Sequence, residues 1–410
     1  MINITPERID ELMDWISGFT EKEDQKGTTR LLYDASWVRA QQSLKERFEE
    51  LGMEAEFDAV GNLIATLRGS EEPDSVIATG SHVDTVTDGG RLDGQLGIMA
   101  GYMAVKGLID KYGQPKKSLR VIALAEEEGS RFPFVFWGSK NIFGLQNNDE
   151  MKDIVDNEGV SFVDAMKEAG FGFNETGELK YNKMDAFLEL HIEQGIFLEQ
   201  QGIEVGIVNA IVGQKRYDIT LKGEANHAGT TLMGYRKDTV ECFSRIVVNS
   251  IDKAKAEGDP LVLTFGHVSP KPNTVNVVPG ETMFTIDVRH TDSKALDDFT
   301  SEMEEDMKCI ASDMGIEIDI NNWMTEEPTQ MDEVLVELLE EAAKEADLNY
   351  TVMHSGAGHD SQIFAQYIPT AMIFVPSIKG ISHNPEEHTE AKDIVQGVEL
   401  LAEAIRRLAY

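Results

Sequence analysis

Side chains of metal-ligand type recur in this chain at one kind of place, the carboxyl end of an apolar run. SVIATGSHVD ends in His82 and Asp84, and RVIALAEEE ends in Glu126, Glu127 and Glu128. AFLELHIEQ holds His191 and Glu193, and AMIFVPSIKGISHNP delivers His383 through a loop. Asp93 lies in the glycine-rich TDGGRLDGQLG, where glycine lets the backbone turn tightly before the next helix. Imidazoles and carboxylates together form a nitrogen and oxygen set suited to Zn2+ or Mn2+. Such a set does hydrolytic chemistry: cations lower the pKa of water from about 15.7 toward about 7, and a neighbouring carboxylate takes the proton.

Each residue also has a plainer reading. A single His at a strand end can be a hydrogen-bonded structural residue, and three acids in a row can be a solvated turn. Asp84 is either a turn acid or the acceptor that fixes the His82 tautomer. Glu193 can be a surface acid, and His227, in GEANHAGTT, can cap a loop. The joint pattern favours the functional reading, because in an open α/β sheet the ligand crevice lies beyond the carboxyl ends of the strands.

The elements that must position these residues are legible as periodicities. Thr5 before Pro6 starts a helix with Ile9, Leu12, Met13 and Ile16 on one face, stopped by Gly18, and a second helix runs from about Ser36 to Gly52. EFDAVGNLIATL then reads as a strand. SVIATGSH, RVIALAEEE and AFLELHIEQG are apolar runs separated by amphipathic helical stretches, the pattern of strands buried on both faces of a helix-covered sheet. From about residue 209 the texture changes to a β-α-β-β-α-β order. Its first helix spans about 237 to 255, and its second carries Leu296, Phe299, Met303, Met307, Ile310 and Met314 and closes at Gly315. After about residue 328 the first texture returns, ending in a helix with Ile394, Val398, Leu401, Ile405 and Leu408 inward. The expected architecture is α/β: a catalytic domain over 1–208 and 328–410 with a mixed sheet sandwiched by helices, and an inserted α+β, ferredoxin-like domain over 209–327.

Composition narrows the function. Of the 410 residues 41% are apolar and 27% charged, the balance of a folded enzyme with about two to three domains. Lys plus Arg is 37 against 73 Asp plus Glu, a net charge of −36, and so acidic a surface repels phosphate backbones and anionic lipid. Nucleic acid and membrane partners are therefore not expected. A small carboxylate substrate is repelled as well, so it needs a local cation, and Arg289 in TIDVRHT is the candidate because a guanidinium fork matches a carboxylate. The plainer reading of Arg289 is a surface salt bridge. Cys242 and Cys309 are too few and too far apart for a disulfide framework, and no run approaches a membrane span of about 18 residues, so a cytoplasmic protein is expected.

The H-x-D of GSHVDTV, LDGQLG, AEEEGSRF, LELHIEQG, NHAGTT and ISHNP together resemble the binuclear metallohydrolases of the aminoacylase and carboxypeptidase type. With WGSKNIFGL, VNAIVGQ, PNTVNVVPG, IDVRHTD and HSGAGHD added, the chain resembles the hydantoinase/carbamoylase branch over nearly its whole length and in motif order. The resemblance implies two divalent ions per subunit, Mn2+ first and Zn2+ second. His82, Asp93 and His191 would hold one ion and Asp93, Glu128 and His383 the other, with Asp93 as the bridge. It implies Glu127 as general base, Asp84 beside it in support, and His227 as an oxyanion donor supplied by the inserted dimerisation and lid domain of a partner subunit, hence a homodimer. Gln214, Asn276, Arg289 and the backbone of Gly358 would hold the substrate with His227, and His359 and Asp360 would support them. Which glutamate of the triplet fills which role stays open to a one-residue slide. The implied reaction is hydrolysis of a ureido C–N bond in a small carboxylate: allantoate first, an N-carbamoyl-L-amino acid or ureidoglycolate as alternatives, and a dipeptide or acylated amino acid less favoured. A metal-free binding protein on the same fold is the reading from a different class.

Overall fold

The structure is a computed structural model that describes residues 2, 4–21 and 26–410. It separates into two compact units, Met1–Asn209 with Met331–Tyr410, and Ala210–Gln330.

In the first unit, helix α1 (Pro6–Ser17) starts where Thr5 accepts the Arg8 N–H and Pro6 presets the first turn, and it buries Ile9, Leu12, Met13 and Ile16. Helix α2 (Ala35–Glu50) is capped by Asp34, which accepts the Trp37 N–H at 2.6 Å. The segment read as one strand is instead a hairpin of β1 (Glu54–Phe57) and β2 (Leu63–Leu67). Asp58 breaks it: its Oδ1 accepts the Val60 and Asn62 N–H groups at 3.0 and 2.9 Å, and Gly61 takes φ +95°.

Strand β3 (Glu72–His82), helix α3 (Gln95–Tyr112), β4 (Lys117–Leu124), β5 (Ala186–Ile192) and β6 (Val205–Ile211) follow. Helix α4 (Glu333–Glu345), β7 (Tyr350–Ser355), β8 (Thr370–Val375) and helix α5 (Ala391–Ala409) come after the second unit, and short helices such as Trp137–Ile142 and Ser361–Phe364 lie between the strands. The sheet runs β1-β2-β4-β3-β5-β8-β6, with β7 also on β6. It is mixed: β3 is parallel to β4 and β5, and β5 to β8, while β2 on β4 and β6 on β8 are antiparallel. Both faces are covered. Leu119, Val121 and Ala123 of β4 enter a core shared with α1, α2, α3 and α5, whereas Ile122 and Leu124 enter a second core with Phe136, Phe187 and Phe364. Because β3, β4, β5 and β8 are parallel, their carboxyl ends lie at one edge of the sheet. That edge is where the chain's metal-type residues emerge.

The second unit is built on a four-stranded antiparallel sheet of Gly213–Lys222, Val262–Lys271, Glu281–His290 and Glu317–Glu326, with Gly213–Lys222 and Glu281–His290 central. Helices Thr239–Glu257 and Ser293–Asp313 pack against the sheet. Tyr217, Ile219, Leu221, Phe284, Ile286, Val288, Cys242, Ile246 and Met307 form its core. The buried line of the second helix is Leu296, Thr300, Met303, Met307 and Ala311, with Phe299, Ile310 and Met314 only partly covered. The apolar pattern had pointed to the flanks because Thr300 satisfies its own hydroxyl, donating to the Leu296 carbonyl at 2.7 Å, and so can be buried like a valine. Cys242 is buried and Cys309 exposed, both as free thiols. Among the described residues, no helix is long and apolar enough to cross a membrane.

Candidate metal centre

Four strand ends and two loops converge in the first unit. His82 is the last residue of β3, Glu126 to Glu128 follow β4, His191 is the penultimate residue of β5, and His383 follows β8 through a loop. Asp93 stands just ahead of α3 and joins them. Its Oδ1 lies 3.5 Å from His82 Nε2 and 3.1 Å from His191 Nε2, and its Oδ2 lies 3.2 Å from His383 Nε2. His383 Nε2 is also 3.3 Å from Glu128 Oε1. Ligand atoms of His82, Asp93 and His191 form one close group, and those of Asp93, Glu128 and His383 form another. His82, Glu127 and Glu128 make a third group that overlaps both.

The chemistry of these atoms fits cations. His82 Nδ1 faces the Asp84 carbonyl at 3.1 Å and the Asp84 carboxylate at 3.3 Å, and His191 Nδ1 faces the Ile192 carbonyl at 2.9 Å. Both Nδ1 atoms face only acceptors and so keep their protons, which makes the Nε2 of each ring, directed at Asp93, the atom that takes either a second proton or a cation. Two ligands bound at about 2.0–2.1 Å in tetrahedral array sit about 3.3 Å apart, which the observed 3.1–3.5 Å spacings match. Glu128 Oε1 is buried, 3.3 Å from His383 Nε2, and a carboxylate so placed costs stability unless positive charge meets it.

The electrostatics describe the same need. Burial opposes charge on His82, yet the hydrogen bonds and charges of Asp84 and Asp93 hold its imidazole well above the ordinary value. His191 is likewise raised by Asp93 against its burial, and Asp93 and Glu128 lift His383 to about 10. Asp93 is buried, but the three imidazoles hold it well below the usual carboxylate range. Burial, then the neighbouring carboxylates, push Glu126 and Glu127 well upward. Burial of this many acids is tolerable only against positive charge.

Local devices fix the array. Asp84 accepts the Glu127 N–H at 3.1 Å on Oδ1 and the Glu128 N–H at 3.2 Å on Oδ2, so one carboxylate orients His82 and sets the register of the triplet. Glu126 turns back onto the Gly129 amide. Of the triplet, Glu127 and Glu128 therefore face the centre. Gly94 has φ +66°, and a Cβ there would fall 2.3–2.5 Å from the His82 ring, so the bridge and the imidazole need glycine between them. His359 packs its ring 4.5 Å from that of His191 and lies 3.0 Å from Ser355 Oγ, while Asp360 accepts from Ser139 at 2.6 Å and is raised by burial to about 8. Gly358 is exposed beside them.

Glu193 is not part of the centre: it caps the helix that follows, accepting the Phe197 and Leu198 N–H groups at 2.9 and 3.0 Å. Its neighbour Gln194 is, and the sequence reasoning passed over it. Gln194 has φ +58°, and its Nε2 lies 3.0 Å from Asp93 Oδ2 and 3.3 Å from Ser382 Oγ. Its Oε1 is buried without a hydrogen-bond partner. The only signal in the sequence was adjacency to His191 in HIEQG.

Within the second unit, Arg289 and Gln214 are directly opposed across paired strands. Asp287 accepts from Arg289 Nε at 2.8 Å and Nη2 at 3.3 Å, and from Arg216 Nε at 2.9 Å. Gln214 donates to Glu326 at 2.9 Å, and its Oε1 is buried without a partner. His227 and Asn276 meet in a short ladder, where His227 pairs with Val277 and the Ala228 N–H donates to the Asn276 carbonyl at 3.0 Å. The Gly229 N–H donates to His227 Nδ1 at 3.0 Å, which leaves the proton of this exposed imidazole on Nε2.

The chain is similar to known proteins over its whole length. The chain is 55% identical over 410 residues, covering 100% of both chains, to allantoate amidohydrolase of Escherichia coli. It is 42% identical, covering 98% of this chain and 97% of the other, to allantoate amidohydrolase of Bacillus subtilis. A crystal structure of an amidase of the hydantoinase/carbamoylase family from Burkholderia multivorans superposes with a TM-score of 0.93 at 28% identity, covering 100% of this chain and 98% of that one. The pattern of Peptidase family M20/M25/M40 matches residues 78–407. The chain belongs to that family of metallohydrolases, in its hydantoinase/carbamoylase branch.

Proposed function

We propose that this protein is an allantoate amidohydrolase, which hydrolyses a ureido C–N bond of allantoate with one water to give ureidoglycine, ammonia and carbon dioxide. The observation that carries the reading is the convergence of three imidazole Nε2 atoms on the two oxygens of Asp93, in a chain 55% identical to an enzyme of that name. Two divalent cations, Mn2+ in first place and Zn2+ as the alternative, supply Lewis-acid polarisation of the ureido carbonyl and make a water acidic enough to react near neutral pH. His82, His191 and Asp93 would hold one cation, and Asp93, Glu128 and His383 would hold the other.

Glu127 takes the proton of the attacking water and returns it to the leaving nitrogen. Asp84 keeps His82 in its tautomer and Glu127 at its station. His227 presents its Nε2 proton to the developing oxyanion, and in this reading it comes from a partner subunit of a homodimer. Arg289 holds the substrate carboxylate with its guanidinium fork, and Gln214, Asn276 and the Gly358 backbone complete the cradle. Gln194 joins this set, its bare Oε1 suited to accept a ureido N–H. The two free thiols suit a reducing compartment, and we place the enzyme in the cytoplasm.

The test is ammonia release from allantoate, N-carbamoyl-L-amino acids and ureidoglycolate side by side, with Mn2+ and after chelation. Allantoate turned over fastest, lost on chelation and restored by Mn2+, is expected. Faster turnover of another ureido carboxylate moves the substrate assignment, and chelator-resistant turnover ends the metal reading. Arg289→Ala is expected to raise KM for allantoate at least 10-fold, since a charged hydrogen bond is worth about 1.5–3 kcal/mol; an unchanged KM removes Arg289 from the site.

A further inference from the structure

One carboxylate joins the loop that carries Asp93 to the loop that carries His383. Glu387 is 5% exposed. Its Oε1 accepts the Leu92 N–H at 2.8 Å and the Asp93 N–H at 3.1 Å. Its Oε2 lies 3.1 Å from Ser382 Oγ, which in turn lies 3.1 Å from Asp93 Oδ2. The slot is shaped for it: a Cβ on Gly90 would fall 2.0 Å from Glu387 Oε1. Glu387 thus holds the backbone at Asp93 through the Leu92 and Asp93 amides, and its second oxygen shares with Asp93 Oδ2 the single hydroxyl proton of Ser382, the residue before His383.

A carboxylate that serves two cations must be held about its own side-chain torsion, because rotation exchanges or withdraws the oxygens that face each ligand set. In this structure Oδ1 faces His82 and His191, and Oδ2 faces His383. We propose that Glu387 is a positioning residue that fixes Asp93 in this orientation and so sets whether the two half-sites act as one pair. It does so by reach, as an acceptor for the Leu92 and Asp93 amides, and not by adding negative charge to an already acidic centre. The proposal rests on the reading of Asp93 as the bridge.

Reach and charge separate in two variants. Glu387→Gln keeps the length and the amide acceptor, and its NH2 can donate to Ser382 Oγ, leaving the Ser382 proton for Asp93. Glu387→Asp keeps the charge but withdraws the oxygens by one methylene. Metal-free wild type and both variants are titrated with Mn2+ alone by calorimetry, the loaded proteins are examined by electron paramagnetic resonance for the spin-coupled signal of adjacent Mn2+ ions, and the metal-free chains are melted as a control.

Glu387→Asp is expected to weaken Mn2+ binding about 10–100-fold and to lose the coupled signal while the metal-free chain still melts cooperatively above the assay temperature. Glu387→Gln is expected to bind within a few-fold of wild type and keep the signal. Wild-type binding and coupling in Glu387→Asp, or equal losses in both variants, overturns the proposal. A wild type that takes up fewer than two Mn2+ or shows no coupled pair instead overturns the bridge reading beneath it.

Discussion

At the scale of the residue, Glu127 and Gly94 carry the sharpest expectations. Replacing Glu127 by Gln removes a proton acceptor without touching a ligand atom, so turnover is expected to fall about 10²–10⁴-fold while Mn2+ stoichiometry, measured by atomic absorption, stays as in wild type. Full activity in that variant would show that the base is another group. Gly94→Ala forces a methyl into the His82 ring; overpacking of this kind costs about 1–3 kcal/mol, so a lower melting temperature and lost Mn2+ uptake are expected together. The ligand-type residues were legible in the sequence because His, Asp and Glu stand out against the apolar runs they terminate. Gln194, Ser382 and Glu387 were not, since an amide, a hydroxyl and an acid beside a ligand look like ordinary loop polarity. Their part depends on which way the backbone turns, as the positive φ of Gln194 shows. Glu193 was equally conspicuous in the sequence, and the same turn sends it to a helix end instead.

At the scale of the element, the parallel strands were the legible part and the turns were not. β3, β4, β5 and β8 announce themselves as apolar runs because both their faces are covered. The β1–β2 hairpin reads as a single strand because its turn is made by the hydrogen bonds of one aspartate, Asp58, and not by a Gly-Pro signal. In α5, Glu403 shows how an element titrates. It lies between Arg406 and Arg407, at 2.7–2.9 Å from their guanidinium nitrogens, and Arg406 first, then Arg407, hold its carboxyl down at about 2. Its folded pKa is below the ordinary 4.5, so its contribution is present above pH 4.5 and is lost as pH falls toward 2. The melting temperature of Glu403→Gln is therefore expected to lie below wild type at pH 7 and to approach it as acid is added, under conditions where both chains still fold. A gap that widens on acidification would contradict the assignment. The pair is partly exposed, so the effect is expected to be modest.

At the scale of the whole molecule, subunit sharing can be tested without a structure of the assembly. If His227 serves the centre of a partner, then His227→Ala and Glu127→Gln are each inactive alone, and random exchange of subunits restores about a quarter of wild-type turnover, because half the dimers are hybrids with one intact site of two. No recovery on mixing, with hybrids verified by native mass spectrometry, would place His227 in its own chain's site. The inserted unit was legible from its change of texture, since an antiparallel sheet with one helix-covered face alternates where the parallel sheet does not.

The candidate ligand atoms of the centre come from positions 82, 93, 128, 191 and 383, and a ribosome makes them in that order. The stretch between the last two contains an entire folding unit, so the group of 82, 93 and 191 has all its residues in the growing chain well before the group that needs 383. A first ion can therefore meet a finished group early, whereas the pair closes only once position 383 has been made, on a frame shaped by backbone amides, Asp84 and Gly94.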